Sequence, residues 1–208
     1  MRAHPLFLAA LLVAGAASAA TGALARPAIS IPPPTLEFAG GTTFAVTGEP
    51  AGGGATFSVA ALWPVMERVR FGLQAYADDI GTEIVELRDP NDGTPLGPAA
   101  EMHRWTWGAA WRAEADVWSL GNWKGGASGG LGLWRVEDDR RGATFAAGSA
   151  VGFRLGADAR RPFGRGREIG VAINYHRLDQ NDQTEWRRVD RYASAALEFR
   201  WTGESGND

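Results

Sequence analysis

Residues 104–117 read RWTWGAAWRAEADV, and their side chains alternate between two classes. Every odd-numbered position is Trp, Ala or Val, whereas the even-numbered positions include Arg104, Arg112, Glu114 and Asp116. Successive side chains of a β-strand point to opposite faces, whereas the apolar face of a helix repeats every three or four residues. The stretch therefore predicts a strand with one apolar face and one charged face.

The same two-residue period recurs along the chain and indicates eight strands in total. The other seven predicted strands are 36–47, 55–63, 69–76, 126–135, 144–157, 168–176 and 192–201. An even number of amphipathic strands predicts an all-β, antiparallel up-and-down barrel, and glycines within the strands suit the tight curvature of a small barrel. The longest predicted connection is 78–102, which we expect at the cell surface if the barrel spans a membrane.

The composition excludes several classes of protein. The chain has 208 residues, a formal charge of −3 and no cysteine. A nucleic-acid-binding protein would carry a basic excess, and without cysteine there is neither a disulfide framework nor a thiol nucleophile. After the first 25 residues, no apolar run approaches the roughly 18 residues that a membrane-spanning helix needs.

The N-terminal residues have the three parts of a secretory signal peptide. Arg2 and His4 precede the apolar stretch 6–14, and small-residue cleavage sites follow at Ala19 and Ala25. We expect export and cleavage after one of these two alanines. The predicted segments are a signal peptide at 1–25, a Pro-rich lead-in at 26–34, the barrel at 35–201 and a polar tail at 202–208.

The positions of the aromatic residues bear on whether the barrel faces water or lipid. Alternation alone fits both a membrane barrel and a soluble secreted lipocalin-like barrel that binds a ligand. Aromatic residues gather near both ends of the predicted strands, as in the two aromatic girdles of a membrane barrel. One predicted girdle holds Trp63, Trp118, Trp123 and Trp201, and the other holds Trp105, Trp107, Trp134 and Tyr175.

The polar face of the strands predicts a filled, charged lumen. Its members are Glu37, Arg70, Gln74, Arg112, Glu114, Arg154, Glu198 and Arg200. We expect the three glutamates to pair with arginines, because an unpaired buried charge costs several kcal/mol. Since the arginines outnumber these glutamates, at least one guanidinium is expected to reach the lumen mouth, water or a backbone carbonyl. An eight-stranded barrel is only just wide enough for its own side chains, so an open porin is not expected.

No motif of catalysis or cofactor binding stands out, and we expect no catalytic, cofactor-binding or metal-ligating residue. His103 and His176 are the histidines outside the N-terminal segment, and both are expected at the surface or rim. His176 lies near Asp179, but no serine follows it closely enough to act as its nucleophile. A basic cluster at Arg160, Arg161, Arg165 and Arg167 is expected either to reach lipid headgroups or to form a solvated turn. The acidic residues near 78–92 and 137–139 are expected to form a solvated rim, and the alternative is that they hold divalent cations, although their spacing does not match a calcium-binding loop.

The sequence combines the predicted export signal, the eight amphipathic strands and the terminal strand YASAALEFRW. On these features, residues 35–201 resemble a known family, the small eight-stranded outer-membrane β-barrels of the OmpA-type transmembrane domains and OmpX-like proteins. The resemblance implies a monomer in the cell outer membrane, surrounded by lipid and lipopolysaccharide, with no cofactor and no nucleic-acid partner. It also implies that the barrel-insertion machinery recognises the terminal strand. The implied role is structural or surface-interacting, and a barrel enzyme that hydrolyses membrane lipid is the alternative.

Overall fold

The computed structural model describes residues 32–46, 53–85, 92–95, 100–140, 143–180 and 191–202. The predicted signal peptide, most of the lead-in and nearly all of the polar tail lie outside these residues. Within the described part of the chain, no helix is long and apolar enough to cross a membrane.

Eight antiparallel strands form a closed barrel, as the sequence predicts. They are β1 (Thr35–Ala45), β2 (Gly54–Met66), β3 (Val69–Val85), β4 (Ala100–Leu120), β5 (Trp123–Arg140), β6 (Ala143–Pro162), β7 (Arg167–Gln180) and β8 (Arg191–Thr202). Each strand pairs with the next, and β8 pairs with β1 to close the sheet. Closure removes the sheet edges, so the strands satisfy one another's backbone hydrogen bonds without help from solvent.

Seven of the eight strands are longer than the sequence pattern indicates, and the predicted loop 78–102 is wrong in its bounds. Because β3 continues to Val85 and β4 begins at Ala100, the connection spans only 86–99. A β-bulge between Asp79 and Gly81 explains the error, since it interrupts the two-residue period in the middle of the strand pair. Gly81 has a φ of 99°, which glycine adopts readily.

The connections define two ends of the barrel. The turn end carries the connections 67–68, 121–122 and 163–166. The first residue of β1 and the last residue of β8 also lie at this end. The loop end carries the connections 46–53, 86–99, 141–142 and 181–190. Gly121 has a φ of 57°, which allows the tight reversal between β4 and β5 at the turn end.

The outer surface is apolar and the interior is charged. Leu197 on β8 is 66% exposed, whereas Arg112 on β4 is 1% exposed. Arg112 faces inward between two glycines, Gly72 on β3 and Gly130 on β5. A side chain at Gly72 would collide with the backbone oxygen of Ala61 on β2, so this close approach requires glycine.

Candidate functional site

The half of the lumen nearest the turn end holds an ion-pair network centred on Glu114. This carboxylate accepts hydrogen bonds from Arg112 Nη2 at 2.6 Å, Arg200 Nη1 at 2.5 Å and Arg70 Nη1 at 3.0 Å. The arginines come from β3, β4 and β8, so Glu114 joins strands that are not neighbours in the sheet. Charge-assisted bonds of this kind are the strong class of protein hydrogen bonds.

Two further glutamates extend this network across the lumen. Glu37 on β1 lies 2.5 Å from Arg112 Nη1 and 2.8 Å from Arg200 Nη2, measured to its two carboxylate oxygens. Glu198 Oε2 lies 3.3 Å from Arg200 Nη2. The structure therefore pairs each of the three predicted glutamates with an arginine.

Arg160 belongs to the same network, so its predicted place near lipid headgroups or in a solvated turn is wrong. It lies inward on β6, where it bonds Asp158 and Asp116, and its Nε donates to Glu168 Oε2 at 3.0 Å. The strand β6 continues to Pro162, and the two-residue period through Asp158 and Arg160 was the signal that sequence reasoning missed.

Arg154 is held by neutral groups in the middle of the lumen. It donates to Gln74 Oε1 and, at 2.5 Å, to Asn174 Oδ1. Gln74 in turn donates to Ser58 Oγ at 3.0 Å, and Asn174 donates to Ser194 Oγ at 3.3 Å. In the described part of the chain Arg154 forms no ion pair, and the surplus cation that the sequence indicates is bound here by the amide oxygens of Gln74 and Asn174.

An aromatic layer lies between Arg154 and the loop end. The ring of His176 stacks on Tyr192 with centroids 4.4 Å apart, and Tyr76 stacks on Trp134 with centroids 5.2 Å apart. Tyr76 also meets His176 edge to face at 6.1 Å. Offset and edge-to-face contacts of this kind add to the stability that burial of the rings provides.

Two predictions about this layer are wrong. Trp134 is 1% exposed and lies in the lumen, not in a girdle, and His176 is 3% exposed and lies in the lumen, not at the rim. In both cases the neighbours along the strand face outward, so the two-residue period itself places these rings inside. The predictions grouped these residues by type and by their distance from a strand end, and did not use their position in the alternating pattern.

Several acidic residues predicted for a solvated rim also lie inside. Asp78 is buried and accepts hydrogen bonds from Tyr192 Oη at 2.6 Å and Thr56 Oγ1 at 2.5 Å. Asp138 is buried against Arg104, whose Nε donates to it at 2.8 Å. Within the described ranges, no group of three His, Asp or Glu side chains could hold a metal ion.

An apolar layer adjoins the aromatic layer on its loop-end side. The buried side chains that pack there against the aromatic layer are Ile80, Val136, Ala150 and Leu178. From the turn end to the loop end, the described interior thus holds ion pairs, then an amide-bound guanidinium, then aromatic rings and aliphatic groups, and finally the buried Arg104–Asp138 pair.

Seven of the eight predicted girdle residues lie on the outer surface. Trp63, Trp118, Trp123 and Trp201 lie toward the turn end, and Trp105, Trp107 and Tyr175 lie toward the loop end. The guanidinium of Arg161 lies 5.6 Å from the centre of the Trp123 ring, in a cation–π contact on that surface.

Comparison with known proteins supports the fold. No protein-family model matches the sequence, and no curated protein matches it. Among solved structures, Neisserial surface protein A has a TM-score of 0.55 at 13% identity, over 81% of this chain and 95% of that chain. A major outer membrane protein from Thermus thermophilus has a TM-score of 0.51 at 9% identity, over 81% of this chain and 98% of that chain. The expected resemblance to small eight-stranded outer-membrane barrels is therefore confirmed at the level of the fold.

Proposed function

From the fold that this chain shares with small outer-membrane barrels, we propose that it is a monomeric, non-conducting protein of the outer membrane with a structural or surface-interaction role. The observation that carries the proposal is the inverted distribution of polarity, with charged residues inside and apolar residues outside. The predicted N-terminal signal peptide would supply export.

The outer surface supports a lipid environment. Leu131, Ile173 and Leu197, on three different strands, are all largely exposed at mid-strand positions. In water such a continuous apolar surface would be costly, at about 25 cal/mol for each Å² left exposed, whereas lipid solvates it without that cost. A soluble ligand-binding barrel is less well supported, because its apolar face would line the interior.

The filled lumen supports a barrel that does not conduct. Near the turn end, Arg112, Arg200 and Glu114 are fully buried in mutual ion pairs. Near the loop end, Trp134 and Leu178 are fully buried in the apolar and aromatic layers. An ion would have to break the network and displace the rings before it could pass.

The lengths of the connections at the two ends of the barrel indicate its orientation in the membrane. We place the turn end in the periplasm and the loop end at the cell surface, because outer-membrane barrels have short periplasmic turns and longer outer loops. The contact of Arg161 with Trp123 suits the headgroup level of the periplasmic leaflet. Lipopolysaccharide and lipid would surround the apolar surface, and the insertion machinery would recognise β8.

Two measurements test this proposal. Membrane fractionation should recover the protein with the outer membrane, and the folded protein should migrate differently from the heated protein on a gel. In planar lipid bilayers, the purified protein should give no stable single-channel current. Recovery in the soluble fraction would overturn the location, and large stable currents would overturn the closed lumen.

A further inference from the structure

A hydroxyl, an imidazole and a carboxylate are in contact on the outer surface near the loop end. Thr82 on β3 is the register partner of His103 on β4. The distance from Thr82 Oγ1 to His103 Nδ1 is 3.0 Å, and the distance from His103 Nε2 to Asp79 Oδ1 is 3.1 Å. These three residues, which we call the rim triad, lie on the outer face of the sheet and are separate from the ion pairs of the lumen.

The β-bulge in β3 creates the rim triad. Residues three apart in a regular strand point to opposite faces, so Asp79 and Thr82 would be separated by the sheet. The register shift between Asp79 and Gly81 brings both side chains to the face that carries His103. Gly81 N also donates to Asp79 Oδ1 at 2.8 Å, which holds the carboxylate in place. Bulges recur beside active sites because they re-aim a side chain in this way.

The contacts assign a separate role to each nitrogen of His103. Nε2 lies in ion-pair range of the Asp79 carboxylate, which can only accept, so this contact favours the tautomer of the neutral ring with its hydrogen on Nε2. In that tautomer, Nδ1 presents its lone pair and accepts the Thr82 hydroxyl hydrogen. This is the order of groups that activates a hydroxyl as a nucleophile. The side chain of His103 is 33% exposed and that of Asp79 is 18% exposed, so a substrate can approach while the carboxylate stays partly shielded.

The position of the rim triad indicates the kind of substrate. Trp105 is the next outward residue of β4, and its ring centroid lies 5.3 Å from that of His103. Trp107 and Trp111 continue the exposed apolar surface along the same strand toward the turn end. A molecule with a fatty-acyl chain could lay that chain along these rings and bring an ester carbonyl to the level of Thr82.

We propose that the rim triad hydrolyses a fatty-acyl ester at the membrane surface, with Thr82 as nucleophile, His103 as general base and acid, and Asp79 as a positioning residue. The choice of a lipid ester rests on the proposed membrane location, whereas the chemistry of the three residues does not. This activity goes beyond the structural role and differs from the sequence-based expectation that the chain carries no catalytic residue.

The reaction is an acyl transfer in two balanced steps. Thr82 Oγ1 attacks the ester carbonyl while its proton passes to His103 Nδ1. The bond from the carbonyl carbon to the leaving oxygen then breaks, and that oxygen takes the proton and departs as the alcohol. Water, deprotonated by His103, next attacks the acyl-threonine, which releases the carboxylic acid and returns the proton to Thr82.

The experiment measures p-nitrophenol release by the folded barrel in an ester-free detergent, with p-nitrophenyl butyrate and p-nitrophenyl palmitate as probes. Thr82→Ala and His103→Gln should each lower the rate about 100-fold or more, the usual contribution of a nucleophile with its general base. Asp79→Asn should lower it less, and Thr82→Ser should retain activity because it keeps the hydroxyl. Rapid acid quenching should leave the acyl mass on the peptide that contains Thr82.

A matched control is Thr94→Ala in the 86–99 connection, where another threonine hydroxyl bonds a carboxylate, that of Asp92 at 2.7 Å, without a histidine. This variant should hydrolyse both probes at the unaltered rate, and heat-dependent gel migration should show that every variant is folded. Equal rates for the native protein and Thr82→Ala, or an acyl group on another residue, would overturn the site. Hydrolysis of the butyrate ester alone would support the rim triad as a catalytic site but overturn the proposal that its substrate is a fatty-acyl ester. This outcome does not depend on where membrane fractionation places the protein.

Discussion

Replacing Glu114 with Gln should strongly destabilise the barrel, because Glu114 is the centre of the charged half of the lumen. The substitution keeps the size of the side chain and removes its charge. Three guanidinium groups, those of Arg70, Arg112 and Arg200, lie within 3.0 Å of the carboxylate. Removing one partner of a buried ion pair costs about 3–5 kcal/mol, mostly because the other charge stays buried without compensation. Arg112 and Arg200 keep Glu37 as a partner and Arg70 keeps Asp116, so we expect a value in the lower part of that range.

The free energy of unfolding can be measured by urea titration in lipid vesicles, with tryptophan fluorescence as the signal from the nine Trp residues. The matched control is Glu137→Gln on the outer surface, where Glu137 bonds Arg135 at 2.9 Å and both side chains are partly exposed. Such a surface pair contributes about 0–1 kcal/mol. If Glu114→Gln changed the unfolding free energy no more than this control, the network would not stabilise the barrel.

Three other changes test the fold and its orientation. Leu197→Arg, at a mid-strand outward position, should cost about 2–4 kcal/mol in vesicles, whereas Leu120→Arg beside a turn should have little effect; equal costs would contradict the assigned lipid face. Gln74→Leu should lower the unfolding free energy by about 1–3 kcal/mol because Arg154 loses an acceptor, and Gln74→Glu should restore or raise it; a neutral Gln74→Leu would show that Arg154 does not need that acceptor. An epitope inserted into 86–99 should bind antibody on intact cells, and binding only after permeabilisation would invert the orientation.

The architecture could be predicted from the sequence because one physical rule, the two-residue period, governs every strand. The same rule places Arg112 inside and Leu197 outside. The rule fails at β-bulges, such as those near Asp79 and Asp116. There one extra residue reverses which of the following positions, odd or even, face inward. Thr82 and the end of β3 lie beyond such a point, which is why the rim triad could not be predicted.

The partners within the lumen could not be predicted, although its members largely could. Arg112 on β4 meets Glu37 on β1, which is 75 residues earlier in the chain. This contact spans the interior between strands that share no hydrogen bonds, so it depends on how the closed barrel is staggered. Trp134 and His176 show a different kind of error, because residue type was given more weight than position in the alternating pattern.

The placement of Arg200 also bears on how the barrel assembles. This arginine, on the last strand, forms ion pairs with Glu37 on the first strand and Glu114 in the middle of the chain. Until β8 closes against β1, Glu37 and Glu114 lack one of their cations, and the unfinished sheet also has open edges. The pairing of β8 with β1 therefore closes the sheet and completes the ion pairs of Glu37 and Glu114 in the same step. Because neither gain comes earlier, a partly assembled barrel gains little stability. Assembly should accordingly be all-or-none, and a chain truncated before β8 should fail to accumulate instead of persisting as a seven-stranded barrel.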